Sequence, residues 1–165
     1  MCYKNPENCL YDLHYLEYIK NNIDLLSDPK IIERIWNEIV GAARGRILES
    51  ILAETRYISE GYNFVGGCNY RDIDFDGAFS RGLEVVSLKT YHSTDKSLKS
   101  LLKAIENYSK KLNDANLDVK FINHNKILDF VVKKGEWNSD FQSILNYIDQ
   151  LKLSTPEVSI RFIEI

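Results

Sequence analysis

The chain has 165 residues, 44% of them apolar and 27% charged, with a formal net charge of −3. That composition excludes an intrinsically disordered chain and suits one domain large enough to bury a core. The slightly acidic balance weighs against nucleic-acid binding through overall positive charge, although a local basic stripe can coexist with it.

The periodicity predicts a helix from Cys9 to Ser27, with Leu10, Leu13, Leu16, Ile19, Ile23 and Leu26 at helical spacing. Asp28-Pro29 then reads as a helix start, with Asp as cap and Pro in the first turn. A second helical region runs from Lys30 to Arg56, where Gly41 and Gly45 can bend it or admit a close backbone. Tyr57 to Val65 is β-rich and ends at Gly66-Gly67, and Arg71 to Phe75 alternates charged with apolar residues. Gly77 to Gly82 reads as a hairpin connection and Leu83 to Thr90 as the next strand. Ser93 to Leu112 is an amphipathic helix with Leu98, Leu101, Leu102, Ile105 and Leu112 on its apolar side. Val119 to Ile122 and Ile127 to Val132 read as strands, Phe141 to Leu151 as a helix, and Val158 to Ile165 as a final strand. This order describes a mixed α/β domain over residues 1–165, with 1–27 as an added N-terminal helical segment.

Cys2, Cys9 and Cys68 form no C-x-x-C pair, and an odd count does not make a disulfide scaffold; a reducing compartment is expected. The first residues lack a basic region followed by an apolar run, so no signal peptide is visible. No apolar stretch reaches membrane-spanning length. His14, His92 and His124 are scattered without zinc-ligand spacing, with His92 placed a few residues past the strand ending at Thr90.

Three fragments carry the chemistry: Gly45 to Glu49 on a helix, Asp72 to Asp76 on a strand, and Ser87 to Thr90 on the next strand. Alternate strand residues share a face, so Asp72, Asp74 and Asp76 point one way. Val85, Ser87 and Lys89 likewise share a face, and a hairpin through Gly77 to Gly82 would set Asp74 across from Ser87. Carboxylate oxygens bind hard divalent cations, which polarise a phosphate and activate water. A neighbouring lysine can orient that water or stabilise developing charge. A solvated sheet face shows the same alternation, but three aspartates on one face need compensating positive charge. Glu49 shares a helical face with Gly45, Leu52 and Ala53, where a carboxylate needs a partner; Glu54 is the rival acid, nearer Ile47, Ile51 and Ile58. Lys96, Lys99, Lys103 and Lys110 lie near one face of the following helix, where they would meet either a phosphate backbone or water.

The order of a helix with Gly-x-x-x-Glu, a strand with Asp-Phe-Asp and a strand with Ser-Leu-Lys-Thr resembles nuclease toxins of the PD-(D/E)xK superfamily. It is most similar to the C-terminal toxin domains of contact-dependent growth inhibition and related polymorphic toxin systems. The resemblance implies a restriction-endonuclease-like core, a central mixed sheet flanked by helices in the order αβββαβ over residues 30–122. Residues 123–165 then form a strand-helix-strand extension. It also implies a metal-dependent endonuclease acting on DNA or tRNA in the bacterial cytoplasm, after delivery into a target cell, and a cognate immunity protein. Glu49 would be the helix acid, Asp74 the metal ligand, and Ser87 and Lys89 the Ser-x-Lys pair; Asp72 and Asp76 are auxiliary ligands. Mg²⁺ is the expected metal, with Mn²⁺ or Zn²⁺ as substitutes, and Lys96, Lys99 and Lys103 are the expected nucleic-acid contacts. Ser87 stands where the superfamily usually keeps a second acid, and the chain starts at a methionine with no delivery region. A non-catalytic immunity or adaptor module on the same fold is the competing reading, and a restriction or repair nuclease without a toxin role is a third.

Overall fold

The computed structural model describes residues 17–65, 77–117 and 119–165. Residues 17–21 are helical and lead into a short helix α1 (Ile23–Leu26). Ile19, Ile23 and Leu26 pack into the main core, so this segment is tied to the sheet rather than laid loosely over it. Asp28 caps α2 (Pro29–Glu38) as its sequence implies: a carboxylate oxygen accepts the Lys30 N–H at 2.8 Å, with Pro29 in the first turn.

The helical region expected from 30 to 56 is broken. Ile39 and Val40 are extended, and Gly41 has φ 68°, a left-handed conformation that glycine takes without a Cβ penalty. Helix α3 (Gly41–Leu52) restarts there and ends in a π-helical turn, Ala53–Tyr57, and a 3₁₀ turn, Ile58–Glu60.

Five strands form one mixed sheet in the order β1 (Asn63–Phe64), β2 (Gly77–Arg81), β3 (Glu84–Thr90), β4 (Asn125–Val132) and β5 (Val158–Glu164). The β1–β2 and β2–β3 pairs are antiparallel; β3–β4 and β4–β5 are parallel. Parallel neighbours need crossover connections, and helices α4 (Leu98–Asn113) and α5 (Phe141–Leu151) supply them. The central strands are buried on both faces, so β3 from Val85 and β4 from Lys126 are buried throughout, polar residues included. Val86, Leu88, Ile127 and Val131 pack with Ile35, Leu48 and Ile51 of α2 and α3. On the other face Val85 and Leu128 meet Leu112, and Phe130 meets Leu101, Ile105 and Ile144 of α4 and α5.

Several elements differ from the sequence-based expectation. Gly77 to Arg81 is a strand and not a connection; its Ala78 and Phe79 are buried, and the turn is only Gly82-Leu83, with Gly82 at φ 56°. In the resulting register Ser87 pairs with Ala78, not with Asp74. Val119–Phe121 is a 3₁₀ turn and not a strand, because Phe121 alone is anchored while Val119 and Ile122 are 83% and 67% exposed. The fourth strand of the αβββαβ order is therefore β4, which lies in the middle of the sheet rather than in an extension. Of the β-rich stretch Tyr57 to Val65, only Asn63–Phe64 pairs as strand, while Tyr57 closes the π turn. The helix expected from Ser93 starts at Leu98, because the Ser97 hydroxyl accepts the Ser100 N–H and so caps it there. Arg71 to Phe75, His14 and all three cysteines lie outside the described residues. Among the described residues no helix is long and apolar enough to cross a membrane.

Candidate functional site

Glu49, one of the expected site residues, reaches the end of β3 from α3. Glu49 is 7% exposed, and its carboxylate accepts the Thr90 backbone N–H at 3.1 Å. The N–H groups of β3 alternate between its two neighbours. Tyr91 donates to the Val131 carbonyl of β4, so the Thr90 N–H faces the β2 side. The last described pair of β2 with β3 is Gly77 with Leu88, and Glu49 takes the Thr90 N–H beyond it. Gly45, one helical turn before Glu49, faces the same strand end: a Cβ there would lie 3.7 Å from His92 and 3.9 Å from Thr90, ordinary contact distances. Exposed His92 therefore abuts α3 at this end of the sheet. Glu54, the rival acid, sits in the half-exposed π turn and makes no such contact with β3.

Lys89, next in sequence to Thr90, is carried on the opposite face of β3, the side covered by α4 and α5. It is 9% exposed, with its ammonium 5.6 Å from the centre of the Tyr108 ring on α4, a cation–π arrangement. Ser87 shares that face, as its alternation implies, but is sealed between Ala78 and Leu128 at 1% exposure. Its hydroxyl has no hydrogen-bond partner among the described residues. The structure thus brings Glu49 to the backbone beside Lys89, and places Ser87 in the core.

Asp72, Asp74 and Asp76 lie outside the described residues. Glu49 offers carboxylate oxygens of the kind that Mg²⁺ and Mn²⁺ take, so the described part of the site suits a hard divalent cation in donor chemistry. The described residues contain no cluster of three or more His, Cys, Asp or Glu side chains able to hold a metal.

The lysine stripe divides. Lys96 lies in the loop before α4 and pairs with Glu136 at 3.5 Å. Lys99 and Lys103 are exposed on α4, along an open groove that also includes Glu106, Lys110 and Tyr147. Lys110 is bound to Glu106 at 2.6 Å, a partner that raises the lysine's pKa and lowers the glutamate's. Lys99 and Lys103 remain an exposed pair of cations on the helix surface.

Sequence reasoning missed a second buried charge. Asp129 of β4 is fully buried, and Arg161 of β5, its ladder partner, donates to both carboxylate oxygens at 2.5 and 2.8 Å. The Tyr57 hydroxyl donates to the same carboxylate, and Arg56 approaches at 3.8 Å. Burial, reinforced by the Asp129 charge, pushes the Tyr57 phenol well above its ordinary range. The hydrogen bond to Asp129 raises the Arg161 guanidinium against the opposing effect of burial. The signal was one Asp inside Ile-Leu-Asp-Phe-Val-Val and one Arg inside Ser-Ile-Arg-Phe-Ile, each a lone charge in an apolar strand. Lys126 was also missed: its ammonium caps α4 by donating to the Asn113 and Ala115 carbonyls at 2.8 and 3.1 Å.

The fold is a mixed α/β sheet flanked by helices. Comparison with protein-family models, with curated proteins and with solved structures found no match.

Proposed function

We propose that the chain is a metal-dependent nuclease of the restriction-endonuclease-like type, with its active site at the end of β3. The observation that supports this reading most is the buried Glu49 carboxylate, oriented by the Thr90 N–H at the end of the strand that carries Lys89 on its other face. Burial strengthens electrostatic interactions, and a backbone amide fixes a carboxylate's direction. Glu49 and Asp74 would hold a divalent cation, Mg²⁺ foremost, with Asp72 and Asp76 as auxiliary ligands. When bound, such a cation polarises the phosphate and lowers the pKa of attacking water. Lys89 would stabilise charge developing on the phosphate, and Lys99 and Lys103 would hold the backbone of DNA or tRNA. Ser87, sealed in the core, takes no catalytic role in this reading and serves to pack β3 against β2 and β4. The toxin assignment, action in a bacterial cytoplasm and a cognate immunity protein follow from the resemblance of the motifs.

The burial of Ser87 and the Lys89–Tyr108 stacking favour one competing reading, a non-catalytic binding module on the same fold. One assay separates them. Purified protein is incubated with plasmid DNA and with tRNA in Mg²⁺, Mn²⁺ or Zn²⁺, with an EDTA control. Cleavage that EDTA stops supports the nuclease; inactivity on both substrates in every metal, with the protein folded, removes it.

A further inference from the structure

A cleft of about 230 Å³ opens between the α2–α3 junction, the loop after β3 and the turn after β4. Its volume is below the range of about 300–1,000 Å³ that holds drug-sized ligands, so it suits a small group. Tyr91 and Val132 place it past the C-terminal ends of the parallel strands β3 and β4, where open α/β sheets seat their ligands. Arg44 in its wall directly precedes Gly45, so the cleft adjoins the Glu49 end of the sheet without sharing its residues.

The walls are rich in donors. The Trp36 and Trp137 indole N–H groups and the Arg44 Nε are all buried without an acceptor among the described residues, and the two tryptophans are only 6% and 2% exposed. Unmatched buried donors are costly and uncommon, and three of those among the described residues belong to side chains that line this one cleft. The Arg44 guanidinium is fixed in place: it donates to the Trp36 carbonyl at 3.1 Å and lies 5.2 Å from the Trp36 ring centre. Lys96 and Lys133 add two more cations. Glu136 is the opposing carboxylate, paired with Lys96, while Lys133 donates to Asn37 at 2.8 Å. Cations therefore exceed carboxylates, and the guanidinium has the fork that matches a tetrahedral oxyanion.

We propose that this cleft is a binding site for a phosphate-type oxyanion, held by Arg44 with the Trp36 and Trp137 indoles and Lys96. A free phosphate and a phosphodiester present the same chemistry. The site stands apart from the nuclease reading, because neither Glu49 nor Lys89 takes part.

Both of the chain's tryptophans line the cleft, so their fluorescence reports occupancy directly. The full chain, in EDTA, is titrated with inorganic phosphate and, separately, with a 5′-phosphorylated dinucleotide, against chloride at matched ionic strength. A saturable change with either phosphate source and none with chloride is expected. Tighter response to the dinucleotide assigns the site to a nucleic-acid phosphate, and tighter response to inorganic phosphate assigns it to the free ion. Arg44→Gln weakens binding about tenfold or more, the scale of a charge-assisted hydrogen bond. Lys96→Gln, at a side chain 69% exposed, weakens it less and leaves folding alone. Glu136→Gln tightens it, which a purely structural role for these residues would not produce. Absence of a saturable response to both phosphates overturns the proposal. So does unchanged binding in Lys96→Gln and Glu136→Gln together, even if Arg44→Gln fails to fold. No outcome depends on cleavage, so the nuclease reading is tested separately.

Discussion

Asp129 and Glu49 are two buried carboxylates over the same face of one sheet, held by different kinds of partner. Asp129 is enclosed by Arg161 and Tyr57, with Arg56 nearby, and its charge is matched by side chains. Glu49 is held at the strand end by a main-chain N–H, which fixes the direction of its carboxylate. Position explains the contrast. Asp129 pairs with Leu88 in the middle of the ladder, where a second strand, β5, can supply Arg161 in register. Glu49 arrives from a helix beyond the last described β2–β3 pair, where a strand N–H faces it. Asp129 is built into the sheet by its register, whereas Glu49, the proposed catalytic acid, reaches the sheet only at its end.

Breaking the Asp129 side should cost stability. Asp129→Ala is expected to destabilise by about 3 kcal/mol, the lower end for losing one partner of a buried pair. The lower end applies because Arg161 and Arg56 are 40% and 38% exposed and can turn to water. Urea unfolding measures it, and a loss below about 1 kcal/mol would dissolve the contrast. Tyr57→Phe removes one hydrogen bond to a charged acceptor and should cost about 1.5 kcal/mol in the same measurement.

Tyr57 also sets a pH dependence. Its phenol is raised in the folded state, so the folded protein keeps a proton that the unfolded chain loses above about pH 10. Stability is therefore whole below that pH and falls as pH rises past it, by about 1.4 kcal/mol per pH unit from this group. Tyr57→Phe should make that alkaline decline shallower by the same slope; an unchanged slope would place the titration elsewhere. The smallest effect sharpens the Glu49 side. Gly45→Ala has ordinary van der Waals room against His92 and Thr90, and alanine suits a helix interior better. It should raise stability by about 0.5–1 kcal/mol and leave the Glu49 approach intact. A clear loss would show that α3 cannot shift even slightly from β3.

Much of the fold was legible because its signals are local. The Asp28-Pro29 start, the helix Phe141–Leu151 and the strand Val158–Glu164 each carry caps or periodicity within a few residues. The hairpin was misplaced because Gly77 and Gly82 bracket a strand that is short and small-residued; only pairing with β3 reveals it. Val119 to Ile122 was overvalued because three apolar residues look like a strand until the sheet offers them no neighbour. At the site, alternation put Ser87 and Lys89 on one face, and the Glu49 helix face was identified through Gly45. Burial of Ser87 was not legible, since a serine in a strand reads the same in a core and in a site. The Asp129–Arg161 pair was unseen because its two halves are 32 residues apart and meet only through strand register.

The most direct test pairs the two carboxylates in a single nuclease assay. Wild type, Glu49→Gln and Asp129→Asn are compared on plasmid DNA and tRNA in Mg²⁺, below the melting temperature of each. The expected result is cleavage by the wild type and a loss of about a hundredfold or more in Glu49→Gln with its stability nearly unchanged, the scale of removing one electrostatic catalytic group. Asp129→Asn should melt lower yet cleave normally where it is folded. Cleavage by folded Glu49→Gln at the wild-type rate would contradict the account.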